Sequence, residues 1–165
     1  MAQTFTSAAT SINSGRLPAV YKRIPIRSGE ILFDLGCGKY TNHIRAALPG
    51  IKYLPYDPYN QSDEVNNDSL AELVHAIRSG TPVDVVCSNV LNVIDDEATL
   101  WNTAGWLTGI IRATGGTGYV TVYEGDRSGT GRQTGTDQYQ RNEPLRNYLR
   151  FFPGAVIKRG MIVIG

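Results

Sequence analysis

The sequence predicts an α/β fold: an open, mostly parallel sheet with helices on both faces, one edge strand reduced or missing, and an antiparallel hairpin at the C-terminal end. Three observations predict it. Apolar or β-branched runs at 31–33, 51–56, 83–87 and 119–123 alternate with segments whose apolar residues recur every three or four positions, the spacing of strands and amphipathic helices in turn. The chain holds 18 glycines, with 41% hydrophobic and 19% charged residues, a balance that suits a loop-rich α/β chain better than a bundle. Only about two dozen residues separate Asp57 from the run at Val83, which leaves room for one helix and no further strand.

The elements follow in order. Residues 1–13 are rich in Ser, Thr and Ala without periodicity and are expected to form a flexible arm. Residues 14–165 are expected to form a single domain with one sizeable core. Leu17, Val20, Tyr21 and Ile24 predict a short helix starting near Pro18, which would set Arg16, Lys22 and Arg23 near the mouth of a site. Ile31-Leu32-Phe33 is a buried-strand run that enters Asp34-Leu35-Gly36-Cys37-Gly38. Thr41 to Leu48 reads as a short helix with Ile44, Ala47 and Leu48 inward, stopped by Pro49-Gly50. The second strand, Ile51–Tyr56, ends at Asp57.

After a polar loop, Asp68 or Ser69 is placed to cap a helix carrying Leu70, Leu73, Val74 and Ile77, ended by Gly80 and Pro82. Val83 to Leu91 is the next strand and its exit. Asp95-Asp96-Glu97 open a long helix with Leu100, Ala104, Leu107 and Ile111 inward and Gly115-Gly116 at its end. Tyr119–Tyr123 is a strand leaving through Glu124-Gly125-Asp126. Residues 125–141 lack an apolar period, and loops of that length are functional lids or disordered. Asn142 is placed to cap a helix with Pro144 in its first turn and Leu145, Tyr148, Leu149 and Phe152 inside. Ala155–Ile157 and Met161–Ile164 flank Arg159-Gly160 as a terminal hairpin, its last strand antiparallel to the others.

Composition excludes some classes. No apolar run approaches membrane-spanning length, and the N-terminus has no charged-then-apolar signal pattern. Cys37 and Cys87 read as reduced thiols without metal-site neighbours, which points to the cytoplasm and to no metal. Net charge is +1, yet residues 31–126 hold 5 Lys+Arg against 12 Asp+Glu, while residues 127–165 hold 7 against 2. That basic quarter has two readings: a face for an anionic partner such as nucleic acid, or a solvated surface whose arginines point several ways. His43 and His75 fall on helices as surface residues.

The turn after the first strand carries the chemistry. Gly36 and Gly38 accept positive φ and have no Cβ, so a flat ligand can approach the backbone. Thr41 stands where a dinucleotide turn has its third glycine, and Asp34 would repel a pyrophosphate but suit a cationic amino group. Asp57, at the end of the neighbouring strand, is placed for two ribose hydroxyls. A plainer reading gives the glycines only a turn and Asp57 only a loop cap. Asp34-Leu35-Gly36-Cys37-Gly38 followed by Asp57 resembles the class I S-adenosylmethionine-dependent methyltransferases, with a Rossmann-like core. The resemblance implies S-adenosylmethionine as cofactor. It places Asp34, Gly36 and Gly38 at the methionine moiety, Asp57 at the ribose, and the Ser88–Val93 exit with Asn89 and Val90 beneath the sulfonium, and it counts Cys37 and Pro58 among the cofactor-binding residues. That pattern normally has a further edge strand supplying the adenine contact. Its absence leaves Tyr59, Asp63 and Asn66 as adenine candidates. Asp57-Pro58, Asn89–Ile94, residues 123–129 and Gln138–Asn142 are similar, more narrowly, to small methyltransferases of phages and bacterial DNA-modification loci.

Methyl transfer from a sulfonium is an in-line displacement in which positioning and desolvation do much of the work. Exocyclic-amine DNA methyltransferases carry an Asp/Asn/Ser-Pro-Pro-aromatic tetrapeptide where this chain has Ser88-Asn89-Val90-Leu91, and cytosine-C5 enzymes need a Pro-Cys nucleophile where Cys87 follows Val86. Both familiar base-methylating classes are thereby disfavoured. Candidates for handling the acceptor are Asn89, Asn92, Tyr123, Glu124 and Asp126, with Glu124 as general base and Asn89 and Tyr123 beside it. Three functions follow: methyl transfer to an acceptor yet to be identified, nucleic acid among the choices; S-adenosylmethionine binding without transfer, as a regulator or partner subunit; and nicotinamide-dependent oxidoreduction.

Overall fold

The computed structural model describes residues 3–7 and 15–165. Of the arm expected over 1–13, residues 1–2 and 8–13 lie outside the described residues. The strands are β1 (Ile31–Leu35), β2 (Lys52–Tyr56), β3 (Val83–Ser88), β4 (Gly118–Thr121), β5 (Arg132–Gly135), β6 (Gln138–Gln140), β7 (Val156–Lys158) and β8 (Met161–Ile164). The α-helices are α1 (Asn42–Ala47), α2 (Asp63–Ser79) and α3 (Glu97–Thr114). Six strands form one sheet in the order β2-β1-β3-β4-β8-β7, and β5-β6 stand apart as an antiparallel hairpin. β2, β1, β3 and β4 pair in parallel, and β8 runs antiparallel between β4 and β7. This is the mostly parallel α/β sheet with a terminal hairpin that the sequence predicts.

Side-chain alternation along β1 divides the core. Phe33 and Leu35 face Leu73 and Ala76 of α2, the α3 stripe, and Tyr148 and Phe151. Leu32 faces the other way, toward Val20, Tyr21, Ile24, Ile44, Leu48 and Tyr53. The inward residues expected on α3, Leu100, Ala104, Leu107 and Ile111, are all buried. Asp96 caps that helix by accepting from the Thr99 N–H at 2.7 Å, and Gly115 (φ 74) ends it. Among the described residues, no helix is long and apolar enough to cross a membrane, and no cluster of His, Cys, Asp or Glu could hold a metal.

Several expected elements differ. The helix near Pro18 is one 3₁₀ turn, Ala19–Lys22, because Pro25 forces Ile24 out of helical conformation. In α1, Ile44 and Leu48 are buried but Ala47 is exposed. α2 begins at Asp63, capped by the Ser62 hydroxyl and not by Asp68 or Ser69. Its inward face is Asn66, Ser69, Leu73 and Ala76, which leaves Val74 and Ile77 exposed. Polar bonds set that rotation: Asn66 brackets the Asp57 backbone, accepting from its N–H and donating to its carbonyl, while the Ser69 hydroxyl donates to the Pro55 carbonyl at 2.6 Å. Residues 125–141 contain the β5–β6 hairpin and are not an irregular loop. Leu145–Phe151 is 3₁₀ and not a capped α-helix, since Asn142 is left-handed (φ 56) and Pro144 directly precedes the first turn.

β2 forms one edge of the sheet. Its sequence suits an edge: Pro55 has no N–H to offer a neighbour, and Lys52, paired with Glu72, charges the rim. Close packing recurs where α3 ends. A Cβ on Gly116 would lie 1.9 Å from the Val83 carbonyl oxygen. Gly116→Ala is therefore expected to cost about 1–3 kcal/mol, read as a lower urea midpoint with an unchanged slope.

Candidate functional site

The site starts from backbone. As β1 ends, the N–H groups of Gly36 and Cys37 both donate to the Tyr56 carbonyl (2.8 and 3.2 Å), and the Gly38 N–H donates to Asp57 Oδ2 at 3.0 Å. The tail of β2 thus clamps the whole turn. Gly36 (φ 79) and Gly38 (φ 74) are both left-handed, a conformation that glycine adopts freely. They differ in what surrounds them. A Cβ on Gly36 would fall 2.4 Å from Val90 Cγ2, whereas nothing lies within 4 Å of one on Gly38. Val90, leaving β3, fills the space over Gly36, and only Gly38 presents open backbone.

That open backbone faces a cavity of about 360 Å³ at the C-terminal ends of β1, β2 and β3. Of the cofactor candidates, Gly36, Cys37, Gly38, Asp57, Pro58, Asn89 and Val90 line it, and so does Tyr59. Asp57 is buried and also folds its own loop: Oδ1 accepts from the N–H groups of Tyr59 (2.9 Å) and Asn60 (3.0 Å), and the Asn60 amide donates to both oxygens. Loop capping and a place on the wall therefore coexist. Asn66 is committed to the Asp57 backbone, and neither it nor Asp63 reaches the cavity. Burial first, and then the charges of Asp34 and Asp57, push the pKa of the Cys37 thiol far up, so it stays protonated while the cavity is closed.

Asp34 is the cofactor candidate that the structure does not bring to the wall. It points to the opposite face of β1 from Phe33 and Leu35. There its buried carboxylate accepts from the hydroxyls of Tyr21 and Tyr53. Burial raises its pKa to about 6, the two tyrosine bonds pull it down, and the Asp57 charge adds a further upward push.

The sequence reading missed two walls. One is the polar side of α3, where Thr99, Asn102, Thr103 and Trp106 recur at helical spacing and line the cavity. Trp106 packs edge-on against Phe33 (5.6 Å) and Tyr56 (5.0 Å). The spacing was available in the sequence, but nothing in it said which strand tip the helix would lean over. The other wall is the N-terminal segment, through Gln3, Thr6 and Ser7.

The acceptor candidates separate. Asn89, held left-handed (φ 56), lines the cavity. Asn92 is buried and donates to Gln140 Oε1 at 3.1 Å. Tyr123, Glu124 and Asp126 do not line the cavity. Glu124, expected as the base, accepts from the Leu145 N–H at 2.7 Å and pairs with Arg127 at 2.5 Å. These contacts, the backbone bond first, hold its pKa below the ordinary carboxyl range, which makes it a cap and a poor proton acceptor. Asp126 accepts from the Ser128 N–H, and Tyr123 is exposed.

Arg16, Lys22 and Arg23 are exposed and away from the cavity, as is His75, and His43 lines a separate shallow cleft. Within the basic quarter, Arg141 and Arg150 are engaged by Glu97 and Glu143, and Arg127 by Glu124. Much of its charge is thus spent inside the fold. In comparison with known proteins, the chain matches no family model and no curated protein.

The Asp34 environment gives a pH signature. A carboxyl whose folded pKa lies above its unfolded value stabilises fully below the unfolded value, and that contribution is lost as pH rises through about 6. Relative to Asp34→Asn, the wild type is expected to lose about 3 kcal/mol between pH 3.5 and pH 7. Urea unfolding of both proteins across that range measures it; a constant difference would contradict the assignment.

Proposed function

We propose that this chain binds S-adenosylmethionine in the strand-tip cavity and transfers its methyl group to an acceptor, on a Rossmann-like methyltransferase core lacking one edge strand. The observation that carries the reading is Gly38: open, left-handed backbone clamped by Asp57 of the next strand, facing a nucleoside-sized cavity. The residues present fit the nucleoside end best. Asp57 and Asn60 offer polar groups beside the glycine turn, while Tyr56, Val90 and Trp106 supply apolar surface for a flat ring. The amino-acid end would be met by the Gly36–Gly38 backbone and Lys39 instead of Asp34.

When bound, S-adenosylmethionine supplies an electrophilic methyl on a sulfonium. The chain's own contribution is to hold the reactants in line and exclude water: Val90, Val93 and Ile94 dry one side, and the Asn89 carboxamide is the polar group at the β3 exit. Among the described residues on the wall, Asp57 is the one carboxylate, and its oxygens are engaged by the 57–60 loop. With Glu124 committed elsewhere, the acceptor in this reading attacks through a lone pair that needs no prior deprotonation. A nucleobase ring nitrogen with a free lone pair, or a thiolate already ionised in solution, meets that condition.

The same absence of a base at the cavity favours the second reading, S-adenosylmethionine binding without transfer. The nicotinamide reading is weaker, because the turn has Thr41 where a dinucleotide turn has its third glycine.

Calorimetry with S-adenosylhomocysteine is expected to give one-to-one binding that Trp106→Ala weakens by about ten-fold, the worth of one aromatic face against a base. Incubation with methyl-labelled S-adenosylmethionine and DNA, RNA or cell extract then separates transfer from binding alone. Binding of NAD in preference to both S-adenosyl compounds would overturn the proposal.

A further inference from the structure

Residues 3–7 cross the cavity and belong to no helix or strand. Gln3, Thr6 and Ser7 form part of its wall, so a ligand seated at the glycine turn lies beneath them. Asp137, at the tip of the β5–β6 hairpin, grips this segment in three ways. Its Oδ1 accepts from the Thr6 N–H at 2.8 Å, its Oδ2 from the Thr6 hydroxyl at 2.5 Å, and its backbone carbonyl from the Ser7 N–H at 3.0 Å. Phe5 stacks on Tyr139 of β6, with centroids 5.6 Å apart and planes 12° from parallel, and the Thr4 N–H donates to Asp95 Oδ1 at 3.1 Å. The hairpin in turn is tied to the β3 exit, where the Arg141 N–H donates to the Asn92 carbonyl and Asn92 donates to Gln140.

We propose that residues 3–7 are a strap over the ligand cavity, latched by Asp137, and that opening of this latch admits and releases the ligand. The hairpin, expected from sequence as a lid, is the post that the strap fastens to. Physically the latch is suited to opening. A segment without its own secondary structure, fastened to the hairpin through polar bonds and the Phe5 ring, sits at the low end of local stability. Its charge-assisted bonds still hold it closed most of the time. The ligand's identity rests on the reading above; the strap rests only on the cavity being a binding site.

Cys37 lies on the cavity wall and Cys87 is fully buried, so alkylation of the full-length chain by iodoacetamide, followed by peptide mass spectrometry, reads strap opening at Cys37 and global unfolding at Cys87. Asp137→Ala, which removes both carboxylate bonds to Thr6, is expected to speed Cys37 alkylation by at least about ten-fold, with Cys87 unreacted. Phe5→Ala, on the strap itself, is expected to speed it by a smaller factor and decides the matter should Asp137→Ala expose Cys87. Wild-type rates at Cys37 in both variants would overturn the proposal. Saturating S-adenosylhomocysteine separates the two claims. Faster alkylation in the variants without ligand protection keeps the strap and removes the ligand assignment; protection with unchanged variant rates does the reverse.

Discussion

Three backbone N–H groups leaving β1 end on the tail of β2: two on the Tyr56 carbonyl and one on the Asp57 carboxylate. This clamp fixes the turn before any ligand arrives. Val90 then occupies the space beside Gly36, which leaves Gly38 as the exposed stretch of backbone. Asp57 holds Gly38 with one oxygen and organises the 57–60 loop with the other. Cavity floor and cavity rim therefore share one carboxylate. A site built in this way is preorganised, because its polar groups are already aimed and need not be ordered on binding.

The position of β2 at the sheet edge shapes the rest. β2 ends the sheet with a proline that cannot pair outward and a carbonyl that Ser69 satisfies from α2. The polar face of α2 turns inward to do this, and its aliphatic residues Val74 and Ile77 are left in solvent. On the same side of the sheet, α3 leans Trp106 against Tyr56 and Phe33 and closes that cavity wall.

How far the sequence was readable follows from the range of the forces involved. The strands of the six-stranded sheet, the α3 stripe and the glycine turn came from local periodicity and backbone preference, and the structure holds them where expected, whereas β5 and β6 lie in what read as a loop. α2 was misjudged because Asn66 and Ser69 bond to the distant backbone of β2, a partner that periodicity does not see. Glu124 was misjudged because its role depends on the Leu145 N–H, 21 residues away in sequence. Asp34 was expected at the methionine moiety, but alternation along β1 sends its side chain to the far face, toward Tyr21 and Tyr53. The N-terminal segment carries no pattern at all. Its place over the cavity comes from Asp137, more than a hundred residues on.

The central claim is that the glycine turn and the Asp57 loop together bind an S-adenosyl nucleoside. The most direct measurement is a titration of the ¹⁵N-labelled chain with S-adenosylhomocysteine, followed through the backbone amide signals. The account predicts saturable shifts centred on Gly36, Gly38, Asp57, Tyr59 and Asn60, extending to Trp106. Unmoved signals at these residues under saturating ligand, or shifts confined to another surface, would contradict it.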